Sequence, residues 1–150
     1  GAYKYNVQGI LNMQQEENNG KATTYNNNNA NSSVNSSGPK YNLFQPQAFL
    51  NGDKYIPEVF QRQGAHRYVD CRSAKIISRN NGQTIVEYDM IVISSTGQTS
   101  REQCIVGLLT GKGYVVQGRA DDGSWHPMDR TTASLAGYNA GLVLIDYLQL

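Results

Sequence analysis

The fold is decided by a run of ten residues near the middle of the chain: Thr84-Ile85-Val86-Glu87-Tyr88-Asp89-Met90-Ile91-Val92-Ile93. β-Branched and aromatic residues, which favour strands, dominate this run. Successive side chains of a strand point to opposite faces, and here the two carboxylates, Glu87 and Asp89, fall on the odd-numbered face. The pattern therefore predicts a β-strand whose even-numbered side chains are buried: Val86, Tyr88, Met90 and Val92.

Similar runs flank this strand, at residues 68–77, 101–109 and 114–119. Asn81-Gly82 joins the first run to the central one, and this pair suits the positive φ angles of a two-residue hairpin turn. Polar segments that contain glycine separate the other runs. We therefore expect an α+β protein built on a four-stranded antiparallel curved sheet over residues 68–119. An all-β sandwich or barrel is the alternative.

Short helices are predicted before the sheet. A helical turn fits residues 47–50, and a second helix fits residues 56–63 because Ile56, Val59 and Phe60 would share one helical face. Both would pack across one face of the sheet.

A C-terminal helix is predicted over residues 132–148, where apolar residues recur at helical spacing. Gly137 and Gly141 each cost such a helix about 1 kcal/mol relative to alanine. The β-rich composition of residues 142–148 leaves a terminal strand as the competing interpretation.

The domain organisation follows from composition. Residues 1–20 are predicted to form an N-terminal strand or arm, in which Tyr3, Tyr5 and Val7 alternate with polar residues. Such an assembly strand can extend the sheet of its own molecule or of a neighbour. Residues 21–40 are predicted to be a flexible loop rich in Asn and Ser, and residues 41–150 a single globular α+β domain.

Charge and composition exclude several functions. Charged residues make up 17% of the 150 residues and the formal net charge is +1. Because Lys and Arg are scattered, no basic surface for nucleic acid is expected. No apolar run is long enough to cross a bilayer, and no motif predicts a cofactor or metal. Polar surfaces of low charge indicate an extracytoplasmic location, in the periplasm, at the cell surface or secreted.

Cys71 and Cys104 are the only cysteines. In an exported protein an even count suggests a disulfide. In a plain meander, however, a third strand would separate them and hold their Cα atoms ~9–10 Å apart, beyond the ~7 Å that a disulfide spans. The sequence leaves both a bridge and two buried thiols open.

The order of short helices followed by a long curved antiparallel sheet is similar to that of nuclear-transport-factor-2-like cones and cystatin-like domains. This resemblance implies a concave surface that can hold a ligand. The side chains with suitable chemistry are His126, which Asp129 is placed to orient, together with Tyr88 and Glu87. A small pocket enzyme or ligand-binding protein is therefore one hypothesis.

The preferred hypothesis is a non-enzymatic extracytoplasmic subunit that binds other proteins, including copies of itself. A cell-envelope complex, a secretion apparatus, a surface appendage or a host-contact protein would fit. The chain has no nucleophile motif or phosphate-binding loop, and it is rich in Tyr, a residue typical of contact surfaces. Convergence of His126 and a carboxylate in a closed pocket would instead favour the enzyme.

Overall fold

A computed structural model describes residues 38–150, and the predicted assembly strand at Tyr3, Tyr5 and Val7 lies outside them. The described chain forms one antiparallel sheet of six strands in sequential order, curled into a half-barrel, and one helix. The strands are β1 (Glu58–Arg62), β2 (Ala65–Asn80), β3 (Gln83–Ile93), β4 (Thr99–Leu109), β5 (Val115–Arg119) and β6 (Trp125–Pro127), and the helix is α1 (Leu135–Leu148).

The antiparallel meander is confirmed, and so is its central turn. Asn81 and Gly82 have φ angles of 53° and 81°, as a hairpin turn between β2 and β3 requires. All 11 residues of β3 then pair in uninterrupted register with β4. A straight ladder of this length fixes which face each side chain occupies.

The even-numbered side chains of β3 lie in the core, as predicted. Val86 and Met90 are 0% exposed, and Tyr88 and Val92 are 3% and 6% exposed. We call this side of the sheet the core face and the opposite side the outer face. Helix α1 covers the core face with a nearly continuous buried surface from Ala136 to Ile145. The helix is thus the second layer of the fold. The competing prediction, a C-terminal strand at residues 142–148, is wrong.

The expectation of four strands preceded by short helices holds only in part. Residues 58–62 form strand β1, so the helix predicted at 56–63 is wrong. A register shift between Glu58 and Phe60 explains the error, because this bulge turns both Val59 and Phe60 into the core. Two adjacent inward side chains imitate the spacing of a helix.

The other differences lie at the two ends of the sheet. A short 3₁₀ turn at Leu50–Gly52 replaces the helical turn predicted at residues 47–50. The segment Trp125–Pro127, for which the sequence predicts no strand, pairs with β5 as β6. Three residues are too few to show an alternating pattern in the sequence.

A second, smaller core lies on the outer face. Ala65, Tyr68, Ile91 and Ile93 form it, and Leu50 and Ile56 cover it from the segment before β1. Long strands with apolar residues on both faces at one end therefore bury both faces there.

Gly141 lets α1 approach the sheet. A Cβ atom at this position would lie 2.4 Å from Cγ1 of Val116 on β5. No carbon atoms tolerate such a distance, so the helix would move outward or the valine would shift. The glycine that weakens the helix in isolation thus strengthens its packing.

We expect Gly141→Ala to destabilise the protein by about 1–2 kcal/mol, because overpacking of about 1–3 kcal/mol outweighs the gain in helix propensity. Urea denaturation measures this change in the free energy of unfolding. Gly111→Ala is the control, since a Cβ there meets no atom within 4 Å. If Gly141→Ala is stabilising, the close packing of α1 on β5 is incorrect.

Candidate interaction surface

The four residues of the predicted pocket do not converge. Tyr88 lies in the core beside Cys104, and burial raises the pKa of its phenol. Glu87 lies on the outer face of the same strand, opposite Lys75 of β2. The two side chains therefore point to opposite sides of the sheet and cannot line one cavity.

His126 and Asp129 lie at the surface beyond β5. His126 Nε2 is 2.7 Å from Ser124 Oγ, whose hydroxyl is also 2.6 Å from Asp122 Oδ1. Asp129 instead accepts a hydrogen bond from the backbone N–H of Thr131 at 2.9 Å, and this bond lowers the pKa of its carboxyl group. Asp122 contacts the serine rather than the imidazole, so this exposed group lacks the arrangement of a Ser-His-Asp triad.

Cys71 and Cys104 are buried thiols that do not bond to each other. Strand β3 lies between their strands, as a plain meander requires. Burial raises the pKa of Cys71 to about 12, and the Tyr41 hydroxyl lies 3.9 Å from its sulfur. Because the thiolate is the reactive form, Cys71 is unsuited to nucleophilic chemistry.

A buried cation on the core face was not anticipated from the sequence. Arg67 of β2 is 0% exposed, and its Nη1 donates to Glu102 Oε1 on β4 at 3.0 Å. The same nitrogen lies 3.0 Å from the Met90 sulfur. Burial lowers the pKa of the guanidinium, and the Glu102 carboxylate opposes that effect. This pair ties β2 to β4 across β3.

A second buried pair joins β1 to β2 on the outer face. The His66 ring nitrogen Nδ1 contacts the Glu58 carboxylate, and both side chains are buried. The His66 ring stacks on Tyr68 with its centroid 6.2 Å away. These contacts hold the short edge strand β1 in place.

Charged side chains cover the middle of the outer face. Arg101 of β4 donates to Asp70 Oδ2 and to Asp89 Oδ2, both at 2.9 Å. Two carboxylates thus share one guanidinium, which leaves this group with one excess negative charge. Glu87 lies beside it on the same strand and faces Lys75.

The unequal strand lengths leave two stretches of strand without an outer neighbour among residues 38–150. Strand β1 pairs with β2 only at residues 65–68, and β5 pairs with β4 only at residues 107–109. The carbonyls of Tyr55 and Pro57, before β1, still accept hydrogen bonds from the N–H groups of Cys71 and Val69. Residues 72–80 of β2 and residues 99–106 of β4 therefore lie at open sheet edges, at opposite corners of the sheet. Open edges carry N–H and C=O groups that can pair with another strand.

The hydrogen-bonding direction of the β4 edge follows from its neighbours. The Asp89 N–H bonds to Ser73 Oγ on the β2 side at 2.7 Å. In an antiparallel ladder these directions alternate, so the even-numbered residues of β3 bond to β4. Their partners in β4 are also even-numbered, for example Tyr88 with Cys104. The backbone groups of Arg101, Gln103 and Ile105 therefore point away from the sheet.

The open edge of β2 differs in two ways. Register shifts between Asp70 and Lys75 and between Ile76 and Ser78 interrupt its ladder with β3. Ile76 and Ile77 are 39% and 50% exposed, beside the cations Lys75 and Arg79. Bulges and cations are common devices that prevent strand pairing at an edge. The straight edge of β4 is the better template for a partner strand.

One groove in the described part of the chain has a volume of about 970 Å³, between residues 38–43 and the end of α1. Its walls include Lys40, Tyr55, Tyr114 and Tyr147, and the Asp146 carboxylate accepts a hydrogen bond from the Leu43 N–H at 2.9 Å. None of the four predicted pocket residues lines it.

Within residues 38–150, no group of three or more His, Cys, Asp and Glu side chains is placed to hold a metal ion. No helix in this range is long and apolar enough to cross a membrane.

Over residues 38–150, these features define an α+β domain with one curled sheet, one covering helix and an open strand edge. Comparisons with protein-family models, with curated proteins and with solved structures found no match to this chain.

Proposed function

We propose that this protein is a non-enzymatic subunit that binds other proteins by strand addition at the open edge of β4. The observation that carries the proposal is the straight, exposed edge at residues 99–105, with backbone groups directed outward at Arg101, Gln103 and Ile105. A partner strand that pairs there gains hydrogen bonds without any rearrangement of the sheet.

The location proposed for this subunit is outside the cytoplasm, in a cell-envelope complex, a secretion apparatus, a surface appendage or a host contact. Support comes from the low charged fraction of 17% and the abundance of Tyr and Asn. The separation of His126, Asp129, Tyr88 and Glu87 gives the pocket enzyme no comparable support.

The test compares two substitutions of one exposed residue. Gln103→Pro removes a backbone N–H that points away from β3, whereas Gln103→Ala keeps it and removes only the side chain. Loss of one interface hydrogen bond, with steric conflict from the ring, is expected to weaken partner binding about tenfold or more. Wild type and both variants serve as bait for extracts of the native source, and bound protein is quantified.

We expect wild type and Gln103→Ala to capture the same partner and Gln103→Pro to lose it. Thermal unfolding must show that both variants fold like wild type. Equal capture by a folded Gln103→Pro variant contradicts binding at this edge.

A further inference from the structure

We propose that the strand which pairs with the open edge of β4 is residues 3–7 of a neighbouring copy of this chain. The inference rests on the proposed function, because it names the partner for the same edge. According to this proposal, copies of the protein assemble with one another through their N-terminal arms.

The lengths of the two strands agree. At ~3.4 Å per residue, a strand of five residues such as 3–7 would span roughly 17 Å, and the open residues 99–105 span roughly 24 Å. Strand β4 has no register shift against β3, so its outward N–H and C=O groups repeat at regular intervals. A five-residue strand can therefore pair with Arg101, Gln103 and Ile105 without a bulge.

The faces of the two strands also agree. If residues 3–7 pair as a strand, the alternation of the sequence places Tyr3, Tyr5 and Val7 on one face and Lys4 on the other. With the apolar side chains toward the core face, they continue the apolar surface that includes Cys104. Lys4 then lies on the outer face, where Asp70 and Asp89 share Arg101 and leave an excess negative charge. Because Asp89 lies on β3 and Asp70 on β2, this charge attracts Lys4 across β4 rather than from the strand that pairs with it.

The described chain begins on the far side of the sheet from this edge. Gly38 lies against the Lys54 side chain, next to Tyr55, whose carbonyl accepts the Cys71 N–H of β2 at 2.9 Å. Both β2 and β3 thus separate Gly38 from the outer side of β4. Residues 8–37 provide 30 residues of chain between the arm and Gly38, and the r.m.s. span of a random-coil chain of 30 residues is roughly 30 Å. An arm of this reach extends to a copy placed beside β2.

The test cross-links two differently tagged copies of the full chain. One copy carries Asn6→Cys and the other Gln103→Cys, both of which would lie on the outer face, and a short bismaleimide joins them. The buried native thiols react little by comparison. Lys112→Cys replaces Gln103→Cys as the control, because Lys112 is exposed in the loop after β4. A second control adds Tyr3→Asp and Tyr5→Asp to the arm.

We expect at least tenfold more cross-linked heterodimer with Gln103→Cys than with Lys112→Cys, and loss of that excess when the two tyrosines are replaced. A yield equal to the control overturns the proposal. A cross-link formed only within one molecule, in a chain that carries both cysteines, also overturns it, because the arm then pairs with its own sheet. If Gln103→Pro still abolishes partner capture, strand addition at β4 stands and only the arm is excluded.

Discussion

Val86→Asp is expected to abolish the cooperative unfolding transition of this protein at 25 °C. Val86 is 0% exposed at the centre of β3, between the neighbouring strands and beneath α1. The substitution loses the burial of an apolar side chain and places a carboxylate where the cross-strand partners, Ile76 and Val106, are both apolar. The combined cost exceeds about 4 kcal/mol, against a typical total stability of about 5–15 kcal/mol.

The matched control is Val115→Asp, the same change on a strand where the valine is 38% exposed. We expect it to alter the free energy of unfolding by less than about 1 kcal/mol, because the new carboxylate remains hydrated. Circular dichroism during thermal unfolding compares the two variants. A melting temperature for Val86→Asp within a few degrees of wild type would refute the assignment of the core face.

The second large effect is expected from Glu102→Ala, which leaves the buried Arg67 guanidinium without its carboxylate. Removal of one partner from a buried ion pair costs about 3–5 kcal/mol. Glu102 itself is 30% exposed, so water can reach the site and the lower end of this range is expected. Urea denaturation measures the change in the free energy of unfolding.

Two further variants separate the unpaired charge from general damage to the strand. The double variant Arg67→Met with Glu102→Ala is expected to be more stable than Glu102→Ala alone, because it no longer buries a charge. Arg101→Ala removes two ion pairs at the surface, with Asp70 and Asp89, and is expected to cost about 1 kcal/mol because the guanidinium is half-exposed. If Glu102→Ala lowers the free energy of unfolding no more than Arg101→Ala does, the ion pair between Arg67 and Glu102 does not stabilise the core as described.

The sequence was most informative where local rules and tertiary packing agree. The alternation in β3 and the turn at Asn81-Gly82 each have one physical solution, and both predictions were confirmed. The helix at residues 135–148 was harder to predict, because Gly141 lowers helix propensity. Gly141 is needed because the helix packs closely against Val116 at this position, and Val116 is distant in the sequence.

Other features depended on strand register, which the sequence does not contain. Arg67 occupies the same alternating face as Val69 and Cys71, so a cation among apolar residues was a signal that a carboxylate must lie nearby. Only the ladder through β3 identifies Glu102 as that carboxylate. The bulge in β1 likewise arises from its pairing with β2, and it concealed a strand behind a helical pattern.

The open edge of β4 could be predicted in part from the sequence. The run predicted at residues 114–119 is shorter than the run at 101–109 that precedes it, so the later strand cannot cover the earlier one completely. Which residues stay uncovered depends on where β5 begins to pair, and the structure places that point at residues 107–109. The direction of the uncovered backbone groups required the contact between Asp89 and Ser73.

The position of α1 after all six strands also has a consequence during synthesis. Ribosomes release the strands first, and the apolar side of the sheet has no cover until residue 148 has left the exit tunnel. A paused or truncated nascent chain would therefore expose this surface and be prone to aggregate or to bind chaperones. Chain order thus makes synthesis of α1 the step at which the core face of the sheet can be covered.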